Sequence, residues 1–381
     1  LPNLKELNNI GNPIISLIKN VFEDATNYMK NGTLLRQVIN KVNEIDFNSS
    51  DDRHLFGDIY EKLLSELQAA KDAGEFYTPR AVIKAMVESV SPKVGQTIYD
   101  AAVGSGGFLI QAYEFMKNED LSTNDQKFLK QDTFYGNEKT PLGYVMGVMN
   151  MILHGIDSPN VFKQNTLTSN IRDIQEKDRH DIILANPPFG GKERAEVQQN
   201  FDIKTSETAF LFMQHFIKSL KAGGRAAVVI KNTFLSNSDN ASVSLRQLLL
   251  ESCNLHTILD MPSGTFLGAG VKTVILFFEK GEPTKKTWFY QMDPGRNLGK
   301  TNPLNDKDLA EFIEFQKTKP ETEKSWMLKI GDVNEETKDL SVKNPNLPEE
   351  APLRDPKDIL KEMETLDSHT NVILKSIKEF L

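Results

Sequence analysis

The chain has 381 residues, a formal charge of −8, a hydrophobic content of 39% and a charged content of 26%. These values are typical of a globular protein with room for two or three domains and a large core. No apolar run reaches the length of about 18 residues that a membrane span needs, and there is no signal-peptide pattern. The acidic balance argues against a protein that binds nucleic acid by bulk charge alone.

The single cysteine, Cys253, excludes a disulfide framework and a cysteine-rich zinc site, and it fits a reducing cytoplasm. The six histidines are scattered without ligand spacing, so we expect no metal. The first residue is Leu rather than Met, which leaves the start of the natural chain open.

The pattern of residues 1–73 predicts a helical domain. Because these residues include no set of catalytic side chains, we expect the domain to be a scaffold or a partner surface. Apolar residues recur there at helical spacing in three stretches. These are Ile14, Leu17, Ile18, Val21 and Phe22, then Leu34, Leu35, Val38 and Val42, then Leu55, Ile59, Leu63 and Leu67.

An aromatic segment follows, consisting of Glu75, Phe76, Tyr77, Thr78, Pro79 and Arg80. Thr78 is a plausible N-cap with Pro79 in the first helical position, which predicts a helix over Ala81–Val90. The segment is either a hinge or one wall of a small-molecule pocket, in which free helix N–H groups face a carboxylate.

A strand, a glycine-rich turn and a helix come next, which is the start of a Rossmann-like nucleotide-binding unit. The strand ends at Asp100, and the turn contains Gly104, Ser105, Gly106, Gly107 and Phe108. A carboxylate here can pair with an ammonium group, which suits the methionine part of S-adenosylmethionine better than a pyrophosphate. The spacing is not that of dinucleotide sites, and a purely structural tight turn is the alternative.

Two further polar residues follow predicted strands. Glu138 ends the second strand, the usual place for an acid that binds ribose hydroxyls. Asn165 follows the third strand, where it either hydrogen-bonds the adenine of a ligand or caps a turn.

The fourth strand, Asp181–Ala185, stops at Asn186, Pro187, Pro188 and Phe189. An exocyclic amine on an aromatic ring is a poor nucleophile, because its lone pair is delocalised. Two acceptors, the Asn186 side-chain carbonyl and the Pro187 main-chain carbonyl, would draw such an amine toward tetrahedral geometry. Phe189 would stack on a flipped base. The alternative is an ordinary strand-ending turn.

The remaining pattern predicts an α/β fold, a Rossmann-like class I SAM-dependent methyltransferase core over residues 74–292. A mobile loop with Lys192 and Arg194 follows the turn; these residues are either phosphate contacts or solvated charges. A helix over Glu207–Lys221, ended by Gly223 and Gly224, precedes a buried strand. Two later strands, separated by a short loop, are expected to be antiparallel.

Residues 293–355 predict an extension and linker, and residues 356–381 a C-terminal helix. Its apolar residues recur with coiled-coil spacing, with Thr370 in the one gap. They are Ile359, Met363, Leu366, Ile373, Ile377 and Phe380. Such an apolar stripe, here called the seam, must pack against either a helix of a partner protein or the N-terminal helices of its own chain. We favour the partner.

Taken in order, these motifs resemble the modification (M) subunit of type I restriction-modification systems, a family of N6-adenine DNA methyltransferases. The resemblance covers roughly residues 10–381. It implies that residues 75–80 and 105–107 contact S-adenosylmethionine, that Glu138 binds its ribose, and that residues 186–189 hold a flipped adenine. It also implies a bacterial or archaeal cytoplasmic protein and two M subunits on one specificity (S) subunit. A restriction (R) subunit joins them for cleavage.

Two residues depart from the family pattern, since Ala101 replaces a common proline and Asn165 a common acid. A similar proline turn occurs in enzymes that methylate protein glutamine or RNA bases. A non-catalytic assembly subunit is the rival of another class. Attack on the ring carbon of cytosine needs a cysteine nucleophile, and Cys253 is far from the proline turn in sequence. The DNA target sequence is not encoded here, because another chain would read it.

Overall fold

The computed structural model of the protein divides into two units, Leu1–Asn344 and Pro345–Leu381. The structure describes residues 6, 13–23, 29–44, 60, 78–117, 120–156, 158–266, 270–347 and 355–380. Two of the predicted helical stretches in the first 73 residues are helices in the structure, whereas the third lies outside the described residues apart from Tyr60.

Within the described residues, the first unit is built on one mixed sheet of nine strands in the order β3-β2-β1-β4-β5-β7-β6-β8-β9. The strands are β1 (Ile98–Asp100), β2 (Phe134–Glu138), β3 (Asn160–Lys163), β4 (His180–Ala185), β5 (Leu220–Lys231), β6 (Cys253–Asp260), β7 (Thr273–Lys280), β8 (Lys286–Gln291) and β9 (Ser325–Lys329). The first five are parallel, and β7 is antiparallel to both of its neighbours, as the short loop before it predicts.

Eleven α-helices are described. They are α1 (Pro13–Glu23), α2 (Gly32–Val42), α3 (Arg80–Val90), α4 (Gly107–Met116), α5 (Thr123–Gln131), α6 (Pro141–Leu153), α7 (Ala195–Gln198), α8 (Thr208–Ser219), α9 (Asn240–Ser252), α10 (Asp306–Thr318) and α11 (Pro356–Phe380). None of them combines the length and apolar character that a membrane span requires.

Two hydrophobic cores, one on each face of the sheet, explain why residues 182–185 of β4 are all apolar. Ile182 and Leu184 pack into the core that contains α3, α4, α6 and α10. Ile183 and Ala185 pack into the opposite core with α8 and α9. A parallel strand covered on both faces has no polar side. The fold is therefore the predicted Rossmann-like α/β architecture, with its ligand edge at the carboxyl ends of the strands.

The predicted end of one helix is wrong. The helix α8 ends at Ser219 instead of Lys221, and Gly223 and Gly224 lie within β5. The cause is Lys280 on β7, whose Nζ donates to the carbonyl oxygens of Ile217 at 2.7 Å and Leu220 at 2.9 Å. A cation from a distant strand satisfies the last carbonyl groups, so the glycines are not needed as a cap.

The segment 293–355, predicted as extension and linker, contains two elements that the sequence analysis did not identify, α10 and β9. The strand β9 extends the sheet by antiparallel pairing with β8. On α10, Phe312 is buried and stacks with Trp288 at 6.1 Å between ring centroids. This part of the segment therefore belongs to the sheet and its core.

The second unit contains α11, whose described side chains are all exposed. Ile359, Met363, Leu366, Ile373 and Ile377 expose between 42% and 59% of their surface. In the gap of this seam, the Thr370 hydroxyl donates to the Leu366 carbonyl oxygen at 2.9 Å. The seam is thus an apolar stripe whose one polar member is satisfied by its own helix.

Candidate active site

The first component of the site is the turn after β1. Asp100 is 1% exposed, and one carboxylate oxygen accepts a hydrogen bond from the Ala102 N–H at 2.9 Å. Burial raises the pKa of Asp100 to about 7; the Ala102 N–H opposes this rise, and the nearby Glu138 carboxylate adds to it. A buried carboxyl group with a raised pKa at a sheet edge is a functional-site candidate, because a cationic ligand group would stabilise its charge.

The glycine turn is packed so closely that side chains do not fit. Gly106 has φ +79°, a left-handed conformation suited to glycine. A Cβ on Gly107 would lie 2.7 Å from Ile83 Cδ1, and one on Gly147 of α6 would lie 2.6 Å from the Gly104 carbonyl oxygen. The backbone of the turn is therefore held between α3 and α6.

Glu138 fixes the same turn from the end of β2. One carboxylate oxygen accepts from the Gly104 N–H at 3.0 Å, and the other accepts from the Thr140 N–H and hydroxyl, both at 2.8 Å. A Cβ on Gly143 would lie 3.0 Å from the Glu138 carboxyl carbon. The Glu138 carboxylate is thus fixed beside the turn, and its oxygen that accepts from Gly104 keeps a further lone pair.

The second component is the turn after β4. The Asn186 side-chain NH₂ donates to the Thr78 hydroxyl oxygen at 3.0 Å. The Asn186 Oδ1 is buried and has no hydrogen-bond partner among the residues that the structure describes. Pro187 is buried and Pro188 is exposed. An unpaired buried amide oxygen is costly unless a ligand supplies the missing donor.

Beside this turn, Phe189 is half-buried and meets Phe266 edge to face, with 5.4 Å between ring centroids and 78° between planes. Phe266 lies in the segment after β6, and the sequence analysis missed it. No local signal marks it, because the contact joins segments 77 positions apart. The edge contact leaves a face of the Phe189 ring for a planar ligand.

One pocket joins the two components. Its lining includes the predicted residues Thr78, Asp100, Gly104, Ser105, Gly107, Phe108 and Asn186. The described residues of the predicted site that lie outside this lining are Pro79 at the N-cap of α3, Arg80 on the same helix, Gly106 at the N-cap of α4, Glu138, Asn165, Pro187, Pro188 and Phe189. Glu75, Phe76 and Tyr77 lie outside the described residues. The described residues contain no group of three acids, histidines or cysteines that could hold a metal ion.

The structure corrects the predicted capping role of Thr78, and for Asn165 it shows the turn cap that was one of its two predicted roles. Pro79 is the N-cap of α3, so the predicted capping role of Thr78 is wrong, and its hydroxyl serves Asn186 instead. Asn165 caps a short turn by accepting from the Leu167 N–H at 3.1 Å. In the loop after the turn, the backbones of Lys192 and Glu207 pair in an isolated antiparallel β-bridge, and the Glu193 N–H donates to the Ser206 carbonyl oxygen at 2.8 Å.

A buried network of hydrogen-bonded polar side chains, which was not predicted, lies next to Asp100 and Glu138. The Tyr99 hydroxyl is 3.0 Å from His215 Nε2 and accepts from the Asn137 NH₂ at 2.9 Å. Burial lowers the pKa of His215 to about 4, so it is neutral. Tyr99 immediately precedes Asp100, and Asn137 immediately precedes Glu138. This network therefore fixes the ends of both strands. Polar residues inside otherwise apolar strands are the signal that could have found it.

Known proteins share this fold and its motifs. The family model described as N-6 DNA Methylase matches residues 51–352. The EcoEI type I restriction enzyme methylase subunit of Escherichia coli is 41% identical over 97% of this chain and 78% of its own length. The EcoKI methylase subunit of Escherichia coli K12 is 30% identical over 84% of this chain and 66% of its own length.

Solved structures agree. A chain from a study of complex assembly and conformational transition of the type I R-M system superposes with a TM-score of 0.82 at 35% identity, covering 100% of this chain and 81% of that one. A modification subunit of a type I restriction enzyme from Vibrio vulnificus superposes with a TM-score of 0.80 at 36% identity, covering 87% and 73%. The chain therefore belongs to the N-6 DNA methylase family, whose members methylate adenine in DNA, and within it to the relatives of the type I restriction enzyme methylase subunits.

Proposed function

We propose that this chain transfers the methyl group of S-adenosylmethionine to the N6 amine of an adenine flipped out of duplex DNA, as the modification subunit of a type I restriction-modification complex. The observation that supports this most directly is the buried Asn186 oxygen without a partner, at the edge of a pocket that also contains Asp100. An exocyclic amine supplies the donor that this oxygen lacks.

The pocket fits the cofactor. Asp100 is buried where an ammonium group would neutralise it, and the tightly packed glycine turn gives the cofactor access to backbone rather than side chains. Asp100, Gly104, Ser105, Gly107 and Phe108 would hold it, with Glu138 toward its ribose. The proposed cofactor set is completed by Thr78, Pro79, Arg80, Gly106 and Asn165, together with the undescribed residues Glu75, Phe76 and Tyr77. When bound, S-adenosylmethionine supplies an electrophilic methyl group on a sulfonium.

Catalysis at the turn is mainly positioning and hydrogen bonding. The Asn186 Oδ1 accepts one N–H of the amine and the Pro187 carbonyl oxygen accepts the other. Pro187 and Pro188 stiffen the backbone that carries this second acceptor. Phe189 stacks on the base and restricts the approach of the amine. No covalent bond between protein and base is needed, since the amine itself is the nucleophile.

Sequence recognition is assigned to another chain. The protein carries a formal charge of −8, and the apolar seam of α11 is exposed along the described helix. We assign this seam to helices of a specificity subunit, which reads the DNA sequence and binds two copies of this chain. A restriction subunit joins the complex for cleavage. Assembly on that partner accounts for an acidic enzyme acting on an acidic polymer.

Radiolabelled methyl transfer to DNA that lacks the modification tests this proposal, with the chain alone and with its co-expressed specificity subunit. We expect label in DNA only with both subunits present. Label in DNA with the chain alone would contradict the assignment of sequence recognition to the specificity subunit. No label in either reaction, with cofactor binding intact, would contradict DNA as substrate.

A further inference from the structure

The two ends of the Asn186 amide have the same shape and opposite hydrogen-bonding character. In the structure the NH₂ end donates to the Thr78 hydroxyl at 3.0 Å, and the oxygen is buried without a partner. Half a turn about the Cβ–Cγ bond would exchange them and present donors where the reaction needs an acceptor. The group that holds the NH₂ end therefore determines whether the site can act on an amine.

Thr78 is suited to this role by its location. It is 8% exposed, lies two residues before the start of α3, and contacts a turn 108 positions further along the chain. It also lines the pocket with Asp100 and the glycine turn. A hydroxyl has two lone pairs and one proton. A free hydroxyl could hold either end of the amide. Once its proton is donated to an acceptor in the pocket, such as the carboxylate of a bound amino acid group, only lone pairs remain, and it accepts from the NH₂ end of Asn186.

We propose that Thr78 is a positioning residue for methyl transfer: its hydroxyl holds the Asn186 side chain in the orientation in which Oδ1 faces the substrate amine. The inference rests on the proposed function. It gives Thr78 a role beyond contact with the cofactor, and the two roles have different kinetic consequences. A cofactor contact alone affects cofactor affinity, and saturating cofactor restores the rate. A positioning role lowers the rate even when the cofactor site is full.

The test uses the complex with the co-expressed specificity subunit, S-adenosylmethionine and unmodified DNA. Thr78→Val removes the hydroxyl and keeps the shape, and Thr78→Ser restores it. At saturating cofactor we expect the single-turnover rate constant of Thr78→Val to fall about tenfold, because the competent rotamer loses one neutral hydrogen bond. Thr78→Ser should stay within about twofold of the wild type for the same reason.

A double variant sharpens the test. Adding Thr78→Val to Asn186→Ala should cause no further loss, because there is no longer an amide to orient. Thr287→Val is the matched control, since Thr287 is also buried and its hydroxyl donates to the Leu255 carbonyl oxygen at 2.7 Å, away from the pocket. We expect this control to keep the wild-type rate.

Calorimetric titration with S-adenosylmethionine supplies the second readout. A wild-type rate for Thr78→Val at saturating cofactor, with weakened cofactor binding alone, would overturn the inference, and so would additive losses in the double variant. If Thr78→Val fails to fold by circular dichroism, Thr78→Ala removes the same hydroxyl with less crowding and should show the same loss. Absence of methyl transfer by the wild-type complex would instead overturn the proposed function.

Discussion

The turn after β4 and the contact between α9 and residues 334–340 each hold a buried polar side chain, and they use it in opposite ways. At the turn, the Asn186 Oδ1 is buried and has no hydrogen-bond partner within the described part of the chain. Beneath α9, the guanidinium of Arg246 is fully buried and donates to four backbone carbonyl oxygens. These belong to Lys338 at 2.8 Å and to Phe234, Asn237 and Thr337 at 2.7 Å each.

This difference separates a reactive position from a structural one. A buried group with unused hydrogen-bonding capacity costs stability and has a use only when a ligand arrives. A buried group such as Arg246, each of whose three nitrogens donates to a carbonyl oxygen, contributes to stability and is already engaged within the protein. Substitutions at the two positions should therefore have opposite signatures, one in the rate of methyl transfer and one in the free energy of unfolding.

Asn186→Ala should have the largest effect on the rate. Removing one acceptor that is aligned with the reacting amine should lower the methyl-transfer rate constant by about 10²- to 10³-fold, by analogy with other preorganised polar groups. The unfolding midpoint and the S-adenosylmethionine affinity should change little, because Asn186 forms a single hydrogen bond in the free protein. Initial rates, thermal unfolding and calorimetry measure the three quantities. A rate within about tenfold of the wild type would contradict the assignment.

Arg246→Met should give the reverse signature. It leaves four carbonyl oxygens without their donor, so we expect a loss of about 3 to 5 kcal/mol in the free energy of unfolding. Denaturant titration measures this loss, and the rate per folded molecule should remain that of the wild type.

The matched control for this variant is Arg225→Met. Arg225 is half-buried and donates to Val90 at 3.1 Å, Ser91 at 3.3 Å and Gln96 at 3.1 Å. Water can replace its donors, so the loss should be about 1 kcal/mol. Equal losses at the two positions would contradict the role given to burial.

Glu138→Gln tests the cofactor side of the comparison. The amide keeps the size of the side chain but removes the charge that accepts from Gly104 and Thr140. We expect S-adenosylmethionine affinity to fall about tenfold, because bonds to a charged acceptor are stronger than neutral ones. Calorimetry measures this affinity, and Glu279→Gln on the exposed part of β7 should leave it unchanged.

Of these predicted effects, the change of S-adenosylmethionine affinity with pH is the smallest near neutral pH. Burial holds the pKa of Asp100 at about 7, so below pH 7 the side chain is protonated and cannot pair with an ammonium group. Affinity should fall about tenfold per pH unit below that value. An α-amino group loses its own charge above about pH 8, so affinity should be greatest between these two values.

Asp100→Asn should weaken binding and remove the acidic limb of this profile. Calorimetry across pH 5.5 to 8.5 provides the measurement. A wild-type affinity that does not change below pH 7 would show that Asp100 does not pair with the cofactor.

Strand ends and turn residues were sufficient to predict the core fold. The carboxyl ends of β1, β2 and β4 follow from short apolar runs that stop at Asp100, Glu138 and Asn186. These features are local in sequence. The same strand ends place most of the candidate site residues at one edge of the sheet, and their roles in binding and catalysis stay predictions.

What could not be predicted depends on contacts between distant segments. The bond from Asn186 to Thr78 spans 108 positions, and that from Arg246 to Lys338 spans 92. The end of α8 is set by Lys280, which lies 60 positions beyond Leu220. No local pattern encodes such pairings, since each partner is an ordinary polar residue in its own segment.

The central claim is that the open Asn186 oxygen accepts an adenine amine. The most direct test is mass spectrometry of nucleosides from DNA methylated by the wild-type complex with isotopically labelled S-adenosylmethionine. The account predicts labelled N6-methyl-2′-deoxyadenosine as the product, and its loss in Asn186→Ala. Label on cytosine, or on glutamine of a co-purified protein instead of DNA, would contradict it.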